Sequence, residues 1–138
     1  EAAGARLGAR LAALDERCGP REAVRTILLE LLPVDEIRRA EALVLLAFHT
    51  AALGGAEIVP AEALAAPDAL ITILSEHLRA ADPKGDDVAR RRDAELLTAA
   101  VGGFVQWMLA GNLGADAAAA FVDHLLDRVL GSVAAVVD

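Results

Sequence analysis

Apolar residues recur at spacings of three and four along nearly the whole chain, and alternation with period two persists nowhere. That pattern suits helices and leaves little room for a sheet, because strand side chains alternate faces with period two. Punctuation divides it into about six segments. The first is expected to run to about Arg17 and to stop at Gly19-Pro20. A second runs from about Arg21 to Leu32, with Val24, Ile27, Leu28 and Leu31 on one stripe, and Pro33 ends it. Asp35 suits the start of a third helix, which continues to about Leu53 and closes at Gly54-Gly55. Asp35 and Arg39 stand in the favourable order for an ion pair along this helix. The span from Glu57 to Ala66 reads as a linker or short helix. Pro67-Asp68 is expected to open a fourth helix that carries Leu70, Ile71, Leu74 and Leu78 inward. After the turn "ADPKGDD", capped by Asp86 or Asp87, a fifth helix runs from about Val88 to Ala110 and stops at Gly111-Asn112. The sixth begins near Ala115 and extends as far as Val136. The expected class is all-α, an antiparallel helical bundle.

A chain of 138 residues fits one domain with a core of its own. Hydrophobic residues make up 56% and aromatics only 3%, so the surplus is Ala, Leu and Val. Apolar surface beyond one core lies against a partner, a ligand or a membrane, which makes a homodimer the expectation. The formal charge of −8 speaks against this chain gripping nucleic acid. Arg90-Arg91-Arg92 is followed by Asp93 and Glu95 and reads as a solvated helix face. From Leu96 to Ala115 no residue is charged, long enough to raise a membrane span. Thr98, Gln106 and Asn112 interrupt that run, and Gly111 and Gly114 mark a helix end, so it reads as a buried helix and no membrane is expected. Cys18 is the one cysteine and cannot form an internal disulfide. The amino end lacks a long apolar core, so the cytoplasm is the expected compartment. The opening "EAAGARLGARLAAL" starts without Met and in mid-pattern, as a piece of something longer would.

No motif in the chain carries catalytic or metal chemistry. His49, His77 and His124 fall on different expected helices, and HExxH, CxxC and G-x-S-x-G patterns and a phosphate-cradling glycine loop are all absent. No metal or cofactor is expected. The stretch "AEALVLLAFHTAALGG", 40–55, is apolar on nearly every side yet carries His49 and Thr50. A buried imidazole needs a partner, since leaving it without one costs about 1–3 kcal/mol. Two readings remain open: a core histidine bonded to a carbonyl or carboxylate, or a pocket histidine facing a ligand. The Thr50 hydroxyl can bond back to the Leu46 carbonyl. In "TAAVGGFVQWMLAG" the adjacent Gly102 and Gly103 each cost about 1 kcal/mol against Ala inside a helix, which suggests close backbone approach, a kink, or room for something small. Phe104, Gln106, Trp107 and Met108 follow at once and would make a pocket wall or ordinary core. The sixth helix carries Phe121, Val122, Leu125, Leu126, Val129, Leu130 and Val133, a stripe too wide for one groove. One edge can pack on its own domain and the other on a partner. His124, between Asp123 and Asp127, belongs at the rim of that stripe.

With these segments in place, "LLPVDEIRRAEALVLLAF" (31–48), "AELLTAAVGGFVQWMLAG" and "DAAAAFVDHLLDRVL" together resemble the C-terminal domain of TetR-family transcriptional regulators, in its BetI-like branch. The resemblance implies that residues 1–17 are the end of a helix leading from a DNA-binding domain. Residues 18–138 would form the ligand-binding and dimerisation domain. It implies a homodimer joined by the last two long helices as a four-helix bundle, and DNA contact only through an N-terminal helix-turn-helix that this sequence lacks. It also implies a pocket in each subunit for a small-molecule effector, with Phe48, His49, Thr50, Phe104 and Trp107 as its lining. Met108, Phe121, Leu125 and Val129 would lie at the dimer interface. The expected ligand is small and mostly apolar. No Asp or Glu falls inside the stretches expected to be buried, which points away from a strongly cationic ligand, and a quaternary ammonium held by rings alone needs more aromatics than this chain has. Two other functions compete: a protein-interaction helical dimer with a filled core and no ligand, and a small helical enzyme in which His49 meets a carboxylate across the fold.

Overall fold

The computed structural model describes residues 19–55 and 61–131. Within them lie five helices: α1 (Pro20–Glu30), α2 (Glu36–Leu53), α3 (Ala61–Ala81), α4 (Asp87–Leu109) and α5 (Ala115–Leu130). The first expected helix, with Cys18 and all of 1–17, lies outside the described residues, as do residues 132–138.

Local chemistry accounts for most helix ends. Gly19-Pro20 starts α1, since proline at the first helical position gives up an N–H that has no partner in any case. The Asp35 carboxylate accepts from the Arg38 backbone N–H at 2.8 Å and caps α2. Asp86 does the same for α4 through the Ala89 N–H at 3.3 Å. Gly55, Gly111 and Gly131 take positive φ of 82°, 81° and 81° where α2, α4 and α5 stop, a conformation in which a Cβ would be strained. α5 ends at Leu130 before Gly131, and the residues beyond Gly131 to the expected Val136 lie outside the described ones. Gly114 precedes α5 without a side-chain cap bond.

One boundary differs more. Pro67-Asp68 does not open the fourth helix: α3 begins at Ala61 and runs through Pro67. Proline breaks the bond to the preceding turn, but "AEALAA" before it consists of strong helix formers that hold the helix on the near side.

The core is built by four of the five helices. Val24, Ile27, Leu28 and Leu32 from α1 and its end meet Leu74 and Leu78 of α3. Leu97, Val101 and Met108 of α4 and Ala118, Val122 and Leu126 of α5 complete the cluster. Burying a side chain such as Ile27 or Leu28 contributes about 1.5–3 kcal/mol of transfer free energy. α2 adds nothing to this cluster, and Ala42 is its one buried residue among those described. The expectation of a helix buried on nearly every side is therefore corrected. Ile37 is 65% exposed and Val44 54%, because α2 lies across the others as an outer layer with only one face turned inward.

Ion pairs tie α1 to α5. Arg25 grips Asp123 through Nε at 2.6 Å and Nη2 at 3.3 Å, while Arg21 Nη2 donates to Asp127 at 2.7 Å. The Arg90–Arg92 run is not wholly a solvated face. Arg90 is buried, and its guanidinium holds the α3–α4 turn by donating to the Asp82 carbonyl and the Asp87 carboxylate. Among the described residues, no helix is long and apolar enough to cross a membrane.

Candidate functional site

Because α2 stands off the core, a cavity of about 350 Å³ lies beneath it. One wall is the inward face of α2, whose side chains Glu41, Ala42, Leu45, Leu46 and His49 follow the helical repeat. The opposite wall is α4, with Val101, Gly102, Val105 and Gln106 at the same repeat. Pro67 and Leu70 of α3 and Leu31 after α1 close the remaining sides. The middle is aliphatic. Arg39 Nη2 donates to the Leu109 carbonyl at 3.4 Å, which sets the first turn of α2 beside the last turn of α4.

Charge gathers at that end. Glu30, the last residue of α1, is buried and accepts from Arg38 Nη2 at 2.9 Å. Arg38 Nε lies 3.6 Å from the Asp35 carboxylate. Glu41, half-buried one turn further along α2, also faces the cavity. No acid was expected inside a buried stretch, and the buried Glu30 corrects that expectation. Arg38 explains it: a carboxylate is tolerated at low exposure when a guanidinium bonds to it.

His49 lines the cavity about 12 Å along the axis from Glu41, at 1.5 Å per residue. It is exposed, so the reading of it as a bonded core histidine does not hold, and it stands instead on the cavity wall. Thr50 is exposed too, and its hydroxyl donates to the Leu46 carbonyl at 2.8 Å, away from the cavity. Phe48 is half-buried and off the cavity wall. Phe104 and Trp107 are also off it. Phe104 packs edge-on against Phe121 with centroids 5.5 Å apart. Trp107 is 56% exposed, half a turn round α4 from the residues that line the cavity. Met108, expected at an interface, is instead in the core, since it shares the α4 stripe of Leu97 and Val101. Leu125 and Val129 are half-buried against the core, and Phe121 is 40% exposed. Among the described residues, neither Phe nor Trp lines the cavity.

Sequence reasoning missed Glu30, Arg38 and Glu41. The available signal was an acid in the last turn of α1, at the negative end of the helix dipole, with an arginine shortly after it in the next helix. Among the described residues, no group of three His, Cys, Asp or Glu could hold a metal ion.

The profile of one known family, BetI-type transcriptional repressor, C-terminal, matches residues 20–131. The chain belongs to that family. It is a TetR-type regulator domain with an all-helical fold, and the family is one of regulators rather than enzymes. Neither the curated proteins nor the solved structures contain a match to it.

Proposed function

We propose that this domain is the effector-sensing and dimerisation part of a TetR-like cytoplasmic regulator. A small, mostly apolar effector occupies the cavity under α2, and a homodimer forms through α4 and α5. Effector binding then alters the spacing of two helix-turn-helix heads that belong to sequence outside residues 1–138, and so alters operator binding. The observation that carries this reading is the cavity itself: about 350 Å³ of aliphatic space beneath a helix that contributes nothing to the core cluster. Its size falls within the ordinary range of small-molecule sites. α2 can shift over a ligand without dismantling the fold, which is what a sensing element requires. A filled interaction bundle would leave no such space.

The dimer half of the proposal rests on the outer face of α4 and α5. Leu96, Ala99, Gly103 and Trp107 form one exposed stripe on α4, with Phe121 beside it on α5. A Cβ at Gly103 would meet nothing within 4 Å, which leaves room there for a second helix to approach.

Calorimetric titration with n-octanol tests the cavity. Binding to the wild-type chain is expected, with loss in Gly102→Leu, whose side chain would project into the space. Equal binding by both proteins refutes the site.

A further inference from the structure

The polar lining of the cavity assigns a ligand class, and this inference rests on the effector reading above. We infer that the cavity takes an uncharged linear molecule with a hydroxyl at each end of an aliphatic chain, one end held at Gln106 and the other at His49. Each carboxylate and guanidinium on the lining already has a partner. Glu30 and Arg38 are joined at 2.9 Å, Arg38 also lies 3.6 Å from Asp35, and Glu41 is engaged within the protein. A ligand charge of either sign would have to break one of these pairs or stand uncompensated beside an aliphatic wall, and both are costly. Two other lining side chains differ. Gln106 of α4 and His49 of α2 are exposed at the rim, and neither side chain bonds to another described residue. An amide and a neutral imidazole each offer a donor and an acceptor, the set that matches a hydroxyl.

The two stand at opposite ends of the cavity. Arg39 in the first turn of α2 reaches the Leu109 carbonyl at the end of α4. The α2 lining residues follow from that contact and the α4 lining residues precede it, so the helices run in opposite directions along the space. His49 therefore lies towards Thr98, which is about 12 Å from Gln106 along the α4 axis at 1.5 Å per residue. Thr98 donates its own hydroxyl proton to the Ala94 carbonyl at 2.8 Å, which leaves His49 as the side-chain donor at that end. Between the ends, Leu45, Leu46, Val101 and Val105 offer alkyl contact alone. An extended carbon chain advances about 1.25 Å per bond, so an eight-carbon body with an oxygen at either end spans about 11 Å.

Calorimetry on the 138-residue chain at neutral pH tests this with four probes of equal carbon number. They are n-octanol, n-octylamine, n-octanoate and the octanediol that bears a hydroxyl at each end. Octylamine and octanoate are each expected to bind about tenfold or more weakly than octanol, a margin of about 1.4 kcal/mol. His49→Phe and Gln106→Met keep much of each side chain's shape and remove its hydrogen-bonding atoms. Each is expected to weaken the diol about tenfold, because one of its hydroxyls is left unpaired. Octanol has one hydroxyl and can turn end for end, so its affinity is expected to stay within about twofold in either variant. That retention also shows each variant folded with its cavity intact. A charged probe that binds as tightly as octanol overturns the uncharged class and leaves the cavity standing. Diol affinity unchanged in either variant overturns the two-ended placement. Octanol weakened as much as the diol overturns it too, since the effect then belongs to the shape of the wall. Failure of all four probes overturns the effector cavity, and this inference with it.

Discussion

Gly102 shows how one residue can carry both a cost and a use. It sits mid-helix, where glycine is about 1 kcal/mol worse than alanine, and a Cβ there would meet nothing within 4 Å. Gly102→Ala is therefore expected to raise stability by about 0.5–1 kcal/mol in urea unfolding, since the helix gains propensity and nothing is crowded. Unchanged or reduced stability would mean that the open space is already filled by something the added methyl displaces. The Glu30–Arg38 pair makes the opposite point. Arg38→Leu leaves the buried Glu30 carboxylate without its guanidinium and is expected to cost about 3 kcal/mol. Adding Glu30→Leu should recover most of that loss, because two apolar groups need no mutual compensation. A double variant as unstable as the single one would show that the damage lies in packing. Glu30 and Arg38 were hard to read in sequence because they stand on separate helices, and only the turn between α1 and α2 brings them together.

At the scale of elements, the α1–α5 clamp has a pH signature. The bond from Arg25 is the main reason the Asp123 carboxyl titrates below its ordinary value, with the charges of Arg25 and Arg21 adding to it against the effect of burial. A carboxyl whose folded pKa is depressed contributes stability that is fully present above its unfolded pKa, near 3.9, and lost as pH falls through the lower folded value. Asp123→Asn is thus expected to lower stability at pH 7 by about 0.5–1 kcal/mol, as befits a pair that remains partly exposed. The gap between variant and wild type should narrow as the pH falls below the unfolded value and close once it is below the folded one. A gap that stays constant across that range would assign the effect to shape and not to charge. Helix identities and most stops were legible at this scale, since Asp35, Asp86, Gly55 and Gly111 act within one or two turns of themselves. The start of α3 was not, because a proline in a run of helix formers reads locally as a beginning.

For the whole molecule, the same surplus of apolar residues that pointed to a partner is now distributed over two surfaces. One is the cavity under α2, and the other is the outer stripe of α4 with Phe121. Trp107 is the one tryptophan of the chain, so its emission reports on that stripe alone. If α4 and α5 pair between protomers, emission at high concentration is expected to be blue-shifted and to move red on dilution, in step with the dimer's dissociation by sedimentation velocity. Phe121→Glu should give a monomer with red emission at all concentrations. A wild-type chain that sediments as a monomer with exposed Trp107 throughout would sink the proposed dimer.

By itself the sequence determined the helical class, the cap and stop of most helices, the core stripes of α1 and α3, and the family. Each of these depends on neighbours three or four residues away, or on a pattern carried along the chain. What lines the cavity was decided by tertiary structure alone. Phe104, Trp107 and Met108 belong to one short stretch, yet the 100° turn between successive residues sends them to α5, to the exterior and to the core. Which direction is the cavity depends on where α2 rests, and α2 rests where the other four helices leave room for it.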